Sequence, residues 1–170
     1  MLSRLRSIGR RLRPGRAAEL RHASVYQRPE ILLLHASATT TAGVHLAQEP
    51  IVRLAPTASS EQVGSALLEV LAACRTGVPH PSPEEWREAT KPLLAAAQFR
   101  SWRALERGAK ACWVTQKPDG SFEFSILAKG GPGGEKSGFH ELGAGRQRLA
   151  ATASAEKVGS ALMMVLESCE

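Results

Sequence analysis

The chain has 170 residues, 43% of them hydrophobic and 5% aromatic, with a net charge of +6. That length suffices for one well-packed domain, and no run of about 18 uncharged apolar residues is present from which a membrane-spanning helix could be built. Cys74, Cys112 and Cys169 are odd in number, sit in apolar stretches and lack metal-ligand spacing, so they read as reduced core residues of a cytosolic protein rather than a disulfide framework.

The charge is concentrated at the start. Residues 1–22 carry Arg4, Arg6, Arg10, Arg11, Arg13, Arg16 and Arg21 against Glu19 alone, while basic and acidic residues balance in the remainder. A basic pI of this kind ordinarily suggests nucleic acid, but here it describes a tail. Leu2, Leu5, Ile8 and Leu12 alternate with the arginines at near-helical spacing. The arm therefore suits an acidic partner, RNA or a membrane surface; it also has the Arg-rich, acid-poor character of a transit peptide, or is a solvated extension. The division expected is a flexible basic arm over 1–22 and a single α+β domain over 23–170.

Past the arm, Ser24–Gln27 and Ile31–Ser37 read as strands separated by Arg28-Pro29, and Gly43–Leu46 with Pro50–Ala55 as a second extended pair. Then comes a segment the chain uses twice. Arg53–Cys74 returns as Arg148–Cys169 at a constant offset of 95 residues, with fifteen of 22 positions identical. Two copies of a strand-turn-helix unit within one fold are implied, since a solenoid needs three or more units at shorter period. Ser59 and Ser154 are the expected N-caps, and Ser59 with Gln62 fits a capping box that Lys157 denies to the second copy. Val63, Ala66, Leu67, Val70, Leu71 and Cys74, with Val158, Ala161, Leu162, Val165, Leu166 and Cys169, mark one buried face on each helix. Gly64 and Gly159 fall in the first turns, where glycine costs about 1 kcal/mol against alanine, so a strand or the sister helix must approach there too closely for a methyl group.

The prolines of Arg75–Pro81 exclude a helix there, and Ser82-Pro83-Glu84-Glu85 is a strong helix start, with the helix running to about Ala97. Arg100–Arg103 forms a short helical turn that Gly108 can end. Lys110–Gln116 and Ser121–Ala128 form a hairpin about Lys117-Pro118-Asp119-Gly120. Lys129–Gly138 is a glycine-rich loop, followed by short strands near Phe139–Leu142 and Arg146–Ala150 and by the repeated helix. Strands outnumber helices and hairpins dominate, which predicts an α+β fold with a largely antiparallel sheet and packed helices.

Reactive groups are sparse. His22, His35, His45, His80 and His140 are scattered, with no HExxH or Cys-x-x-Cys spacing, so no metal site is expected. His35 in its apolar strand reads as structural; convergence of His35, His45 and His140 as an acid-base pair is open, but no spacing asks for it. There is no GxSxG, and Gly130–Gly134 lacks the Gly-Lys-Ser/Thr ending of a phosphate loop. Neither catalysis nor a cofactor is expected.

In several places the chain resembles the immunity proteins of contact-dependent growth inhibition systems, the CdiI-type family. The resemblance rests on Thr39-Thr40-Thr41-Ala42-Gly43, on Val63-Gly64 with Ala66-Leu67-Leu68-Glu69, and on Gly77-Val78-Pro79-His80-Pro81. Ser101-Trp102 with Lys110–Val114, and Gly159 through Glu170, continue the series, which covers about Val25–Glu170. It implies a bacterial cytoplasmic protein that binds and blocks a cognate toxin domain, often a nuclease, as a one-to-one heterodimer. From exposure and residue type, the candidate toxin contacts are His80, Glu84, Trp86 and Arg87, then Lys129, Glu135 and Lys136 of the glycine-rich loop, and the arginine arm. Many RNA-cleaving toxins are basic and favour acidic blockers, so a neutral body implies a neutral or acidic toxin face, or a separate task for the arm. The alternative is a nucleic-acid or ribosome-associated module, and a deletion distinguishes the two. Removing residues 1–22 should abolish the module's binding, whose log-log salt slope is about −0.9 per neutralised phosphate on duplex DNA, whereas an immunity protein should protect without the arm.

Overall fold

The first two strands are buried on both faces along most of their length, which sets the architecture. In the computed structural model, which describes residues 19–130, 138–142 and 146–169, β1 (Arg21–Arg28) and β2 (Ile31–Thr40) form an antiparallel hairpin with Val25 opposite Leu34. The second predicted extended pair is one strand, β3 (His45–Leu54), antiparallel to β2. Its register jumps between His35, opposite Ile51, and Ala36, opposite Gln48. Glu49 and Pro50, joined by a cis bond, form the bulge. An edge strand tolerates this proline because the donor it lacks is not needed by a further neighbour.

Helix α1 (Ser60–Ala72) follows, capped as expected: Ser59 Oγ accepts from Gln62 N at 3.2 Å, and Gln62 Oε1 accepts from Ser59 N at 2.9 Å. The segment predicted only to be non-helical contributes β4 (Arg75–Val78), parallel to the end of β2. The predicted single helix to Ala97 is two, α2 (Pro83–Ala89) and α3 (Lys91–Ala97). The break falls at Thr90 because Pro92 has no N–H for a continuing helix and its ring opposes the preceding carbonyl. Then come α4 (Trp102–Glu106), the hairpin of β5 (Lys110–Gln116) and β6 (Phe122–Lys129), the short β7 (Phe139–Glu141) and β8 (Gln147–Leu149), and α5 (Ala155–Glu167). The sheet runs β3-β2-β1-β5-β6-β7, with β8 on the same side of β6 as β7. It is antiparallel except for β4, the α+β arrangement predicted.

Strand periodicity divides the core into two layers. On one face Val25, Leu34, Val114 and Phe124 lie beneath Leu67, Leu71, Leu162 and Leu166 of the repeated helices. On the other, Tyr26, Leu33, Ala111 and Leu127 are covered by Leu93 and Ala97 of α3 and Leu105 of α4. Cys112 and Cys169 are buried, Cys74 is half-buried, and all three are free thiols.

The repeat explains how α1 and α5 share their face. A Cβ on Gly64 would stand 1.7 Å from the carbonyl oxygen of Ala155, and one on Gly159 would stand 1.8 Å from that of Ser60. Ser60 and Ala155 are equivalent positions of the two copies, as are Gly64 and Gly159, so the helices meet through a local two-fold. Of the two neighbours open to these glycines, it is the sister helix that comes close. Gly64→Ala should therefore destabilise the protein by roughly 3 kcal/mol, the upper range for overpacking, because backbone cannot rotate away. Gly159→Ala should cost as much, the double variant less than the sum, and Ser65→Ala on the exposed side within about 0.5 kcal/mol, all read from urea unfolding.

Candidate functional site

The α2–α4 layer covers only part of its face, and the boundary follows the side chains. Three cross-strand rows can be read from the register. Leu33, Tyr26, Ala111 and Leu127 form an apolar row. Beside it His35, Ser24, Trp113 and Ser125 are mutually opposite, and next His22, Thr115 and Glu123. The apolar row lies under α3 and α4; the two polar rows floor an open groove.

The groove holds two adjoining cavities of about 360 and 230 Å³ that share Ser24, Ser37, His45 and Trp113. Leu20, His22, Thr115 and Glu123 line the larger; His35, Trp86 and Trp102 line the smaller. Trp113 is 36% exposed and Trp86 38%. Two tryptophans thus offer exposed apolar area, and tryptophan is among the residue types enriched as interface anchors.

Its histidines are neutral at pH 7. His22 Nδ1 lies 3.0 Å from Thr115 Oγ1, and His45 Nδ1 lies 3.0 Å from Thr39 Oγ1. The two rings are 4.3 Å apart between centroids. Burial, and then the neighbouring His45, bring the pKa of His22 down to about 4; burial also lowers that of His45. His35 is buried, and its Nδ1 donates to the Ala36 carbonyl at 2.8 Å. Burial outweighs that bond and lowers its pKa. His35 and His45 line one cavity, while His140 stands on β7 opposite Ala128 and lines neither.

At the rim the charges compensate one another. Glu123 accepts from Lys117 Nζ at 2.9 Å, Arg148 Nε at 3.1 Å and Arg146 at 3.4 Å, and Arg146 also reaches Glu141 at 2.8 Å. The Lys117 hydrogen bond, with the charges of Lys117, Arg148 and Arg146, holds the Glu123 carboxyl below the usual glutamate range.

The residues singled out from sequence are dispersed. Trp86 lines the groove; His80 packs edge-on against it at 5.7 Å and has Thr40 Oγ1 3.4 Å from its Nδ1. Glu84 is exposed in the first turn of α2, and Arg87 lies on the same helix. Lys129 is exposed at the end of β6, opposite Phe139. Beside it the base of the glycine-rich loop is closed by Gly130 N donating to Gly138 O at 3.1 Å and Gly138 N to the buried Glu106 at 2.7 Å. Glu135 and Lys136 lie outside the described residues, as does most of the arm. Sequence reading missed Trp113 and the His22–His45 pair. The available signal was Ser24, Ser37 and Ser125 standing at one face of otherwise apolar strands.

A protein of unknown function from Neisseria meningitidis superposes with a TM-score of 0.72 at 17% identity, covering 93% of this chain and 100% of its own. A chain of the CdiA-CT/CdiI toxin and immunity complex from Yersinia pseudotuberculosis superposes with a TM-score of 0.69 at 16% identity, covering 89% of this chain and 98% of its own. These likenesses establish a shared fold. No protein-family model matches the sequence, and comparison with curated proteins gives no significant match.

The rim network has a pH signature. With its folded pKa depressed, Glu123 contributes stability in full above the unfolded glutamate value of about 4.3 and loses it as pH falls through the folded pKa. Glu123→Gln should cost about 1 kcal/mol at pH 7, as suits a largely surface network. The difference from wild type should shrink steadily below pH 4 in urea midpoints measured across the acid range.

Proposed function

We propose that this protein is an immunity protein: it binds the C-terminal domain of a cognate contact-dependent growth inhibition toxin, a nuclease, in the bacterial cytoplasm and neutralises it as a one-to-one complex. It acts by occupying surface, without catalysis. The observation that carries this reading is the open groove with Trp113 at its centre, on a fold shared with a chain of a toxin and immunity complex. The ordered family resemblance from Thr39 to Glu170 supports it.

The physical demands fit. Nanomolar binding corresponds to about −12 kcal/mol, which interfaces of roughly 1,600 Å² supply through a few aromatic or arginine anchors. Trp113 is the central anchor and Trp86, backed by His80, flanks it. Glu84, exposed in the first turn of α2, extends that side as a rim contact. Among the described residues lining the groove, charge is either absent or paired at the rim, so recognition rests on shape and hydrogen bonding, with little dependence on salt.

The experiment is to co-express the chain with the toxin domain encoded beside its gene and measure affinity and protection. Trp113→Ala should weaken the complex by about 2 kcal/mol or more, roughly 30-fold, when measured on the folded variant. Deletion is best made at residue 18 rather than 22, because Arg21 already belongs to β1 and His22 lines the groove. That truncation should leave protection and salt tolerance intact. Failure of the toxin domain to bind overturns the reading; RNA or DNA binding lost with the arm and weakened by salt replaces it with the nucleic-acid module.

A further inference from the structure

We propose that His22 and His45 form a two-histidine site for a borderline divalent transition cation, of the zinc or nickel class, on the wall of the groove. The two residues are distant in sequence, come from strands on either side of β2, and are brought to a 4.3 Å ring separation. Ser37 of the intervening strand lines the same cavity and is too short to keep the imidazoles apart.

Each ring is held by its Nδ1. The site uses the tautomer in which Thr115 Oγ1 and Thr39 Oγ1, each 3.0 Å from Nδ1, accept the Nδ1 proton and the lone pair lies on Nε2. Fixing one imidazole nitrogen so that the other is presented as a ligand is how histidine metal sites are oriented. Imidazole nitrogen selects zinc, nickel or copper over magnesium and calcium, which prefer oxygen. Of the charged groups lining this cavity, Lys117 and Arg146 are each paired with Glu123, and Arg146 also with Glu141, so no unpaired cation among them opposes an incoming ion. Among the described residues no third histidine, cysteine or carboxylate joins the pair. The remaining positions of a four-coordinate ion fall to water or to a donor from a docked partner. The sequence expectation of no metal site followed from motif spacing, which cannot register ligands supplied by different strands.

The test uses the untagged full chain, titrated with Zn²⁺ and separately with Ni²⁺ by calorimetry at pH 7. One ion per chain should bind, His22→Gln and His45→Gln should each weaken it at least tenfold, and His140→Gln should leave it unchanged. Thr115→Val, which retains both ligands and removes the hydroxyl that orients one, should weaken binding about 10-fold to 100-fold. Long-range ¹H–¹⁵N spectra of the wild-type imidazoles provide a readout that needs no variant: Zn²⁺ should shift the His22 and His45 signals and spare His140. Absence of saturable binding, binding unaltered in both His22→Gln and His45→Gln, or metal-induced shifts confined to other histidines overturns the proposal.

Discussion

The contact on which the rest of the structure depends is between backbones. At the crossing of α1 and α5, the glycine in each first turn faces the carbonyl oxygen that opens the other helix, and a single methyl group would fall within 1.8 Å of it. Glycine inside a helix costs about 1 kcal/mol, so two of them persist only because the approach they permit is worth more. It brings both helices onto the same side of the sheet, where Leu67, Leu71, Leu162 and Leu166 lose their contact with water, each contributing roughly 1.5 to 3 kcal/mol. Because the two surfaces in contact are copies of one sequence, each change that improves one side of the crossing has a counterpart on the other.

Concentrating the duplicated helices on one face leaves the second face to shorter elements, and polarity decides how far they extend. Leu33, Tyr26, Ala111 and Leu127 are buried under α3 and α4. One row further on, Ser24 and Ser125 are polar and Trp113 is 36% exposed, so a covering helix would meet hydroxyls and an indole N–H rather than apolar side chains, at a cost of about 1 to 3 kcal/mol for each hydrogen bond left unmade. The groove is therefore the region of the sheet that the core cannot cover. His35, buried in the same row, has a bond to the Ala36 carbonyl that makes its burial tolerable.

What the sequence displayed was local. Ser59, Ser82 and Ser154 announce their helices by hydroxyl chemistry within four residues, Lys117–Gly120 announces a turn, and the 95-residue offset announces a duplication. Pro92 is also legible and outweighs the alanine-rich periodicity that alone would carry one helix to Ala97. The bulge at Glu49-Pro50 and the pairing of β4 with β2 depend on which strands become neighbours, which a short window does not contain. The groove belongs to the same class. Ser24, Trp113 and Ser125 are unremarkable apart, and only the registers of β1 with β5 and β5 with β6 make them a row.

That registry also separates fold from recognition. The central groove residues sit between core residues on their strands, Ser24 between Ala23 and Val25 and Trp113 between Cys112 and Val114. A strand sends alternate side chains to opposite faces, so substitution at the groove positions leaves the packing beneath α1 and α5 untouched. The framework can stay fixed while its open face is altered residue by residue. The proposed binding by shape against one partner needs this independence, and the two-residue period of the strand provides it. The 16% to 17% identity at which the same fold recurs is what such a division of labour permits: the core asks only for apolar volume in the right alternation, and the exposed rows are free to differ.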